Sequence, residues 1–177
     1  QKAGTPSDQC PLVLAAGGIS DGRGVAAALS LGCDGVSMGT RFFASHQSIG
    51  RSEQKQAIVD ANADSAIRTR VFDLLNNASS ANPWPPPYDS AGALHNETSR
   101  AWHNRPEALE QIIQAHGSDG EVIQGYKQHS GNPSVTAVWM GQGVSDVLGI
   151  DDADAIVRRV NDEACEAIER VRGFVTQ

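Results

Sequence analysis

The chain has 177 residues and a mass of 18.7 kDa, enough to bury the core of one ordinary domain. A formal net charge of −7 and a pI near 5.1 leave no basic face for a nucleic-acid partner, and no apolar run approaches the roughly 20 residues of a membrane span. Cys10, Cys33 and Cys165 are odd in number and form no metal-type or redox pair, which suits a reducing compartment, so a cytoplasmic location and no metal site are expected.

Residues 1–9 are polar, with Gly4 and Pro6, and read as an arriving loop. Leu12 to Ala16 is a continuous apolar run, the pattern of a parallel strand covered on both faces. It runs into Gly17-Gly18. Asp21 is placed to cap a small-residue helix, Val25 to Gly32, in whose first turn Gly24 permits close packing. Gly35 to Met38 is the next strand, ending on Gly39-Thr40. Cys33, beside Gly32, reads as a small buried filler.

Glu53 to Ala61 reads as a short helix, and Ala66 to Phe72 alternates like a strand. Asn76 to Asp89 turns to Asn, Ser and Pro around Trp84-Pro85-Pro86-Pro87-Tyr88, where three prolines forbid a helix. Its two aromatics suggest a loop that is packed down. Pro106 to Ala115 is an amphipathic helix and Gly120 to His129 a candidate second one. Val135 to Trp139 is extended and leads into a third glycine turn, Met140 to Val144. Asp151 to Gly173 carries one apolar stripe, Ala153, Ile156, Val157, Val160, Ala164, Ala167, Ile168 and Val171, with acidic residues at its start and arginines at its end.

The first two strands thus end on glycine turns at the same rim of a sheet. Glycine lets the backbone approach a ligand closely, and successive peptide N–H groups there bind anions such as phosphate. Two adjacent turns of this kind hold the phosphate at the last two strands of a (β/α)₈ barrel. Thr40 adds a hydroxyl. Arg41 offers either charge for a phosphate or a salt bridge beneath the rim. Gly22-Arg23-Gly24 lacks the third glycine of a dinucleotide fingerprint, and no Gly-Lys-Ser/Thr occurs. One terminal phosphate, as in FMN, suits the two turns better than a dinucleotide does.

These residues carry a family resemblance. Ala15-Ala16-Gly17-Gly18-Ile19 with Asp21-Gly22-Arg23-Gly24, then Gly35 to Phe42, resemble the nitronate monooxygenases, formerly 2-nitropropane dioxygenases. The likeness continues through Arg68 to Asp73, Trp84-Pro85, Tyr88-Asp89 and Gly141 to Val144, in a form most similar to fungal members. The first two motifs are shared with flavin-dependent enoyl-acyl carrier protein reductases and, more loosely, with IMP dehydrogenase.

The resemblance implies an α/β fold, the C-terminal portion of a TIM (β/α)₈ barrel with an appended small, mainly helical substrate domain. Residues 1–65 would supply the last barrel strands, 66–135 the substrate domain, and 136–177 the return to the barrel. It implies FMN as cofactor, with alkyl nitronates and O₂ converted to carbonyl compounds and nitrite. By motif match Ala16, Gly17, Gly18, Gly39 and Thr40 would hold the FMN phosphate, and Gln142 would lie near the flavin. The family's catalytic base is a histidine in a glycine-rich loop of an earlier strand. His46, His95, His103, His116 and His129 all lack that setting and read as surface or capping residues. A whole barrel needs about 250 residues, so the chain is expected to lack the catalytic half and to be inactive alone. An FMN-dependent enoyl-acyl carrier protein reductase, or a non-catalytic remnant, are the alternatives.

Overall fold

The computed structural model describes residues 11–175; the loop read at residues 1–9 and Cys10 lie outside that range. The fold is α/β. Strand β1 (Leu14–Ala16) pairs in parallel with β2 (Gly35–Ser37), Leu14 opposite Gly35 and Ala16 opposite Ser37. Helix α1 (Gly22–Ser30) makes the crossover. Its cap is Asp21, whose carboxylate accepts from the Gly24 amide at 2.9 Å and from Arg23 Nε at 2.6 Å. The close-packing glycine is Gly22 rather than Gly24. A side chain at Gly22 would collide with the backbone of Val160 and Ala164, whereas the nearest atom to one at Gly24 would be a side-chain methyl of Ile19, at 3.1 Å.

The strand leading into the first turn is not covered on both faces. Leu12, Val13 and Leu14 are exposed. Covering both faces takes a layer on each side, and among the described residues this sheet has two strands, with α1 against β2. Cys33 is likewise only half-buried.

Beyond β2 the chain forms one helical turn, α2 (Thr40–Phe43), and then α3 (Ser52–Val59). Below the glycine turns Ala44, Ile58, Val138, Met140, Val144 and Val147 make a buried core. Strand β3 (Ala66–Thr69) pairs antiparallel with β4 (Ala91–Leu94). The expected extended piece then runs beside β4. The Leu94 amide donates to Val138 O at 2.9 Å, and the Met140 amide donates to Gly92 O at 3.0 Å.

The strand expected through Phe72 stops at Thr69, and α4 (Val71–Asn77) follows. The Thr69 hydroxyl accepts from the Val71 amide at 3.2 Å and the Leu74 amide donates to Arg70 O at 2.9 Å. Val71 is then free to enter a second core with Leu75, Leu109 and Ile123. The apparent alternation of residues 66–72 is the sum of two elements. Helices α5 (Glu97–Trp102), α6 (Pro106–His116) and α7 (Glu121–Gln128) complete this region.

The proline loop is held differently from the expectation. Trp84 and Tyr88 are exposed. The Asn77 side chain, not aromatic packing, fixes the loop: its amide donates to Trp84 O and its carbonyl accepts from the Trp84 amide, each at 3.1 Å.

The last helix, α8 (Ala153–Val175), packs on α1 through Ile156, Val160 and Ala164. Val157, Ile168 and Val171 of its stripe are exposed, because a single neighbouring helix covers a narrower strip than the whole apolar face. Among the described residues no helix is long and apolar enough to cross a membrane.

Candidate functional site

Three glycine turns meet around a cavity of about 700 Å³, within the roughly 300–1,000 Å³ range of small-molecule sites. Its lining includes Gly17, Gly18, Gly39, Thr40 and Gln142, five of the six residues singled out in the sequence. Ala16, the sixth, closes β1 immediately before the lining begins.

The first turn requires glycine. Gly17 and Gly18 have φ of +89° and +72°, in the left-handed region that side chains disfavour. An added Cβ at either position, or at Gly39, would meet nothing within 4 Å. All three Cα atoms therefore face open space, the arrangement that leaves backbone donors accessible to an anion.

The third turn is locked onto the other two. The Gly141 amide donates to Thr40 Oγ1 at 2.9 Å. A Cβ at Gly143 would stand 2.6 Å from Gly18 O, so only glycine admits this approach. Gly92 on β4 passes equally close to Met140 O, at 2.5 Å from a hypothetical Cβ. Because Thr40 accepts from Gly141, its own hydroxyl proton is left to donate into the cavity.

Arg41 takes the second of its two readings. It is 1% exposed and absent from the lining. One guanidinium nitrogen donates to Gly149 O at 2.9 Å and the other pairs with the Asp151 carboxylate. Burial pushes the Arg41 guanidinium below its ordinary pKa, against the opposing pull of Asp151. Asp151 also accepts from Arg159 at 2.9 Å, and that bond is the largest influence holding its carboxyl below the ordinary value. Arg41 anchors α2 to the start of α8 from beneath the rim.

Arg68 and Trp139 reach the cavity without having been singled out for the site. Arg68 lies on β3 and donates to Ser90 O at 2.9 Å. Trp139 stands edge-on to Phe72, ring centroids 6.0 Å apart. Arg68 belonged to a quoted motif and Trp139 directly precedes the third turn. Nothing local marked either as lining a site: Arg68 is placed by the β3–β4 pairing and Trp139 by its bridge to Ala93 on β4.

None of the five histidines lines the cavity. His95 Nδ1 lies 2.9 Å from Ser99 Oγ, His129 Nδ1 2.8 Å from Gly125 O, and His116 ends α6. The His46 amide donates to Asp151 O at 3.0 Å. His103 follows α5, with its Nδ1 buried and lacking a partner among the described residues.

The α/β fold thus gathers its glycine turns around one cavity of the size of small-molecule sites, and comparison with known proteins specifies the family. The nitronate monooxygenase family model matches residues 8–162. Nitronate monooxygenase npaC of Metarhizium robertsii is 34% identical over 158 residues, covering 87% of this chain and 41% of that protein. A Neurospora crassa nitronate monooxygenase is 29% identical over 163 residues, covering 92% of the chain and 40% of the relative. Among solved structures, FabK from Thermotoga maritima superposes with a TM-score of 0.69 at 26% identity, over 93% of this chain and 48% of that one. Nitroalkane oxidase from Streptomyces ansochromogenes shares the fold, with a TM-score of 0.65 at 24% identity over 90% of this chain and 41% of that one.

The chain belongs to the nitronate monooxygenase family. It spans about two-fifths of the length of these two fungal relatives.

Proposed function

We propose that this chain carries the FMN site of a nitronate monooxygenase, an oxidoreductase that converts alkyl nitronates and O₂ to carbonyl compounds and nitrite. In this reading β1 and β2 belong to the C-terminal portion of a TIM barrel. Residues 1–65 and 136–177 are barrel and 66–135 the substrate domain. The observation that carries the proposal is the convergence of Gly17, Gly18, Gly39 and Thr40 on one open cavity.

The residues present suit a flavin phosphate. The left-handed Gly17-Gly18 pair and Gly39 keep side chains out of the space an anion would take. Ala16, Gly17, Gly18, Gly39 and Thr40 hold the phosphate, and the Thr40 hydroxyl donates one further hydrogen bond. Gln142 lies near the flavin and orients it. Arg68 contributes positive charge to the lining. When bound, FMN would supply the redox chemistry, as the acceptor for the nitronate's electrons on their way to O₂. Trp139 and Phe43 provide the apolar wall against which a planar ring system is shielded from water. With no histidine in this lining, the proton acceptor comes from outside it, and the chain alone is inactive.

Titration of FMN into the protein tests the proposal. Flavin fluorescence is quenched on saturable binding, and Gly39→Val removes that quenching. Full flavin occupancy in Gly39→Val contradicts the assignment. The enoyl-acyl carrier protein reductase reading shares the first two glycine motifs, and it requires rapid flavin bleaching by NAD(P)H.

A further inference from the structure

A second cavity, of about 530 Å³, lies beside the first, and Trp139 lines both. Its walls include Asp73, Asn76, Trp84 and Tyr88. Asp73 is only 6% exposed, and its Oδ2 has no hydrogen-bond partner among the described residues. Leaving a buried carboxylate oxygen unpaired is costly unless a ligand satisfies it.

Neither nearby arginine hydrogen-bonds the free Asp73 oxygen. Arg70 pairs with Asp89 at 2.9 Å and with Glu110 at 3.7 Å, and Arg68 donates to Ser90 O. Burial first, and the charge of Asp89 second, push the Asp73 carboxyl above its ordinary value. The charge of Arg68 opposes both. Trp84 and Tyr88 stay 65% and 71% exposed at the same cavity, although aromatics of that size ordinarily bury their faces. Indole and phenol faces attract cations.

We propose that the cavity between Asp73 and the Trp84, Tyr88 and Trp139 rings is a binding subsite for a primary ammonium group. Such a group brings N–H donors for the unpartnered carboxylate and a compact positive charge for the ring faces. One carboxylate is too few for a metal site built on carboxylate oxygens. A neutral hydroxyl offers one donor and no charge. With Trp139 as the shared wall, the subsite receives the amine-bearing end of a substrate whose other end reaches the edge of the flavin in the glycine-turn cavity. This second step rests on the flavin reading above; the ammonium subsite itself does not.

The test is binding of n-butylammonium chloride, with 1-butanol as the neutral control, to the protein near neutral pH. It is followed by tryptophan fluorescence and by saturation-transfer NMR. The ammonium binds saturably and at least tenfold more tightly than the alcohol. Asp73→Asn weakens it at least tenfold while leaving the alcohol unchanged. Trp84→Leu, on an exposed side chain, weakens it several-fold with the circular dichroism and melting temperature unaltered, and reports even where Asp73→Asn misfolds. Equal binding of ammonium and alcohol, or ammonium binding indifferent to both substitutions, overturns the proposal. FMN titration of the same samples separates the two readings: ammonium binding without FMN binding breaks only the flavin site, and the reverse breaks only the ammonium subsite.

Discussion

The hydroxyl of Thr40 accepts a hydrogen bond from the Gly141 amide at 2.9 Å, joining the second glycine turn to the third across 101 positions of the chain. One oxygen therefore has two tasks: it fixes the third turn, and it leaves its proton for a ligand in the cavity. Thr40→Ala removes both. The expected loss is that of a hydrogen bond to a charged group, about 1.5–3 kcal/mol, or roughly ten- to a hundredfold in FMN affinity. Thr40→Ser keeps the oxygen and remains within a few-fold of the parent. A fluorescence titration that finds Thr40→Ala as tight as the parent removes Thr40 from the phosphate site.

Gly18 and Gly39 separate backbone strain from occupied space. Gly18 sits at φ +72°, whereas Gly39 has an ordinary φ of −94° with open space at its Cβ position. Gly18→Val therefore lowers both the melting temperature and FMN retention, with about 1–3 kcal/mol of strain in the folded state. Gly39→Val leaves the melting temperature within a few degrees and still abolishes retention. Gly39→Val protein that melts normally and keeps its flavin shows that the phosphate lies elsewhere.

Much of this site was legible because it is local. The runs ending at Gly17-Gly18 and Gly39-Thr40, and the Asp21 cap between them, are written in contiguous residues, and each appears where the spacing puts it. What was not legible depends on partners far along the chain. Val71 and Phe72 continue a strand pattern, yet Leu75, Leu109 and Ile123 draw Val71 into a helix. Strand β4, Ala91-Gly92-Ala93-Leu94, has little intrinsic strand preference. It forms between β3 on one side and the backbone of residues 138–140 on the other, where Gly92 admits Met140 O. The role of Arg41 was ambiguous until Asp151, 110 positions away, took its guanidinium. Trp84 and Tyr88 read as packing residues, since sequence does not distinguish an aromatic that fills a core from one that lines a cavity.

The Arg41–Asp151 pair predicts an acid-sensitive anchor. Hydrogen bonding from Arg159, with the charges of Arg159 and Arg41, holds the Asp151 carboxyl below its ordinary value of 3.8. A lowered folded-state pKa stabilises the fold at all pH above that ordinary value, and the contribution disappears as pH falls through the lowered one. Asp151→Asn leaves the buried Arg41 charge without its anion. We expect a loss of about 3 kcal/mol at pH 7, the low end for a broken buried pair because Asp151 is itself partly solvated. Urea denaturation at pH 7 and in the acid range below 3.8 checks both parts. The difference between parent and Asp151→Asn shrinks at the lower pH.

The five histidines carry no proton-transfer role in this account. General base catalysis contributes about 10²–10⁴-fold. Replacing His46, His95, His103, His116 or His129 singly with Asn, in protein of the relatives' full length, leaves turnover per bound flavin within a few-fold. A loss of a hundredfold or more at any one position places the base in this chain.

Anaerobic addition of an alkyl nitronate to the FMN-loaded protein, at the full length of its relatives, bears most directly on the central claim. The account predicts that the nitronate bleaches the flavin absorbance, that NAD(P)H does so slowly or not at all, and that nitrite accumulates once air is admitted. Rapid bleaching by NAD(P)H, with a nitronate that leaves the flavin oxidised and yields no nitrite in air, contradicts it.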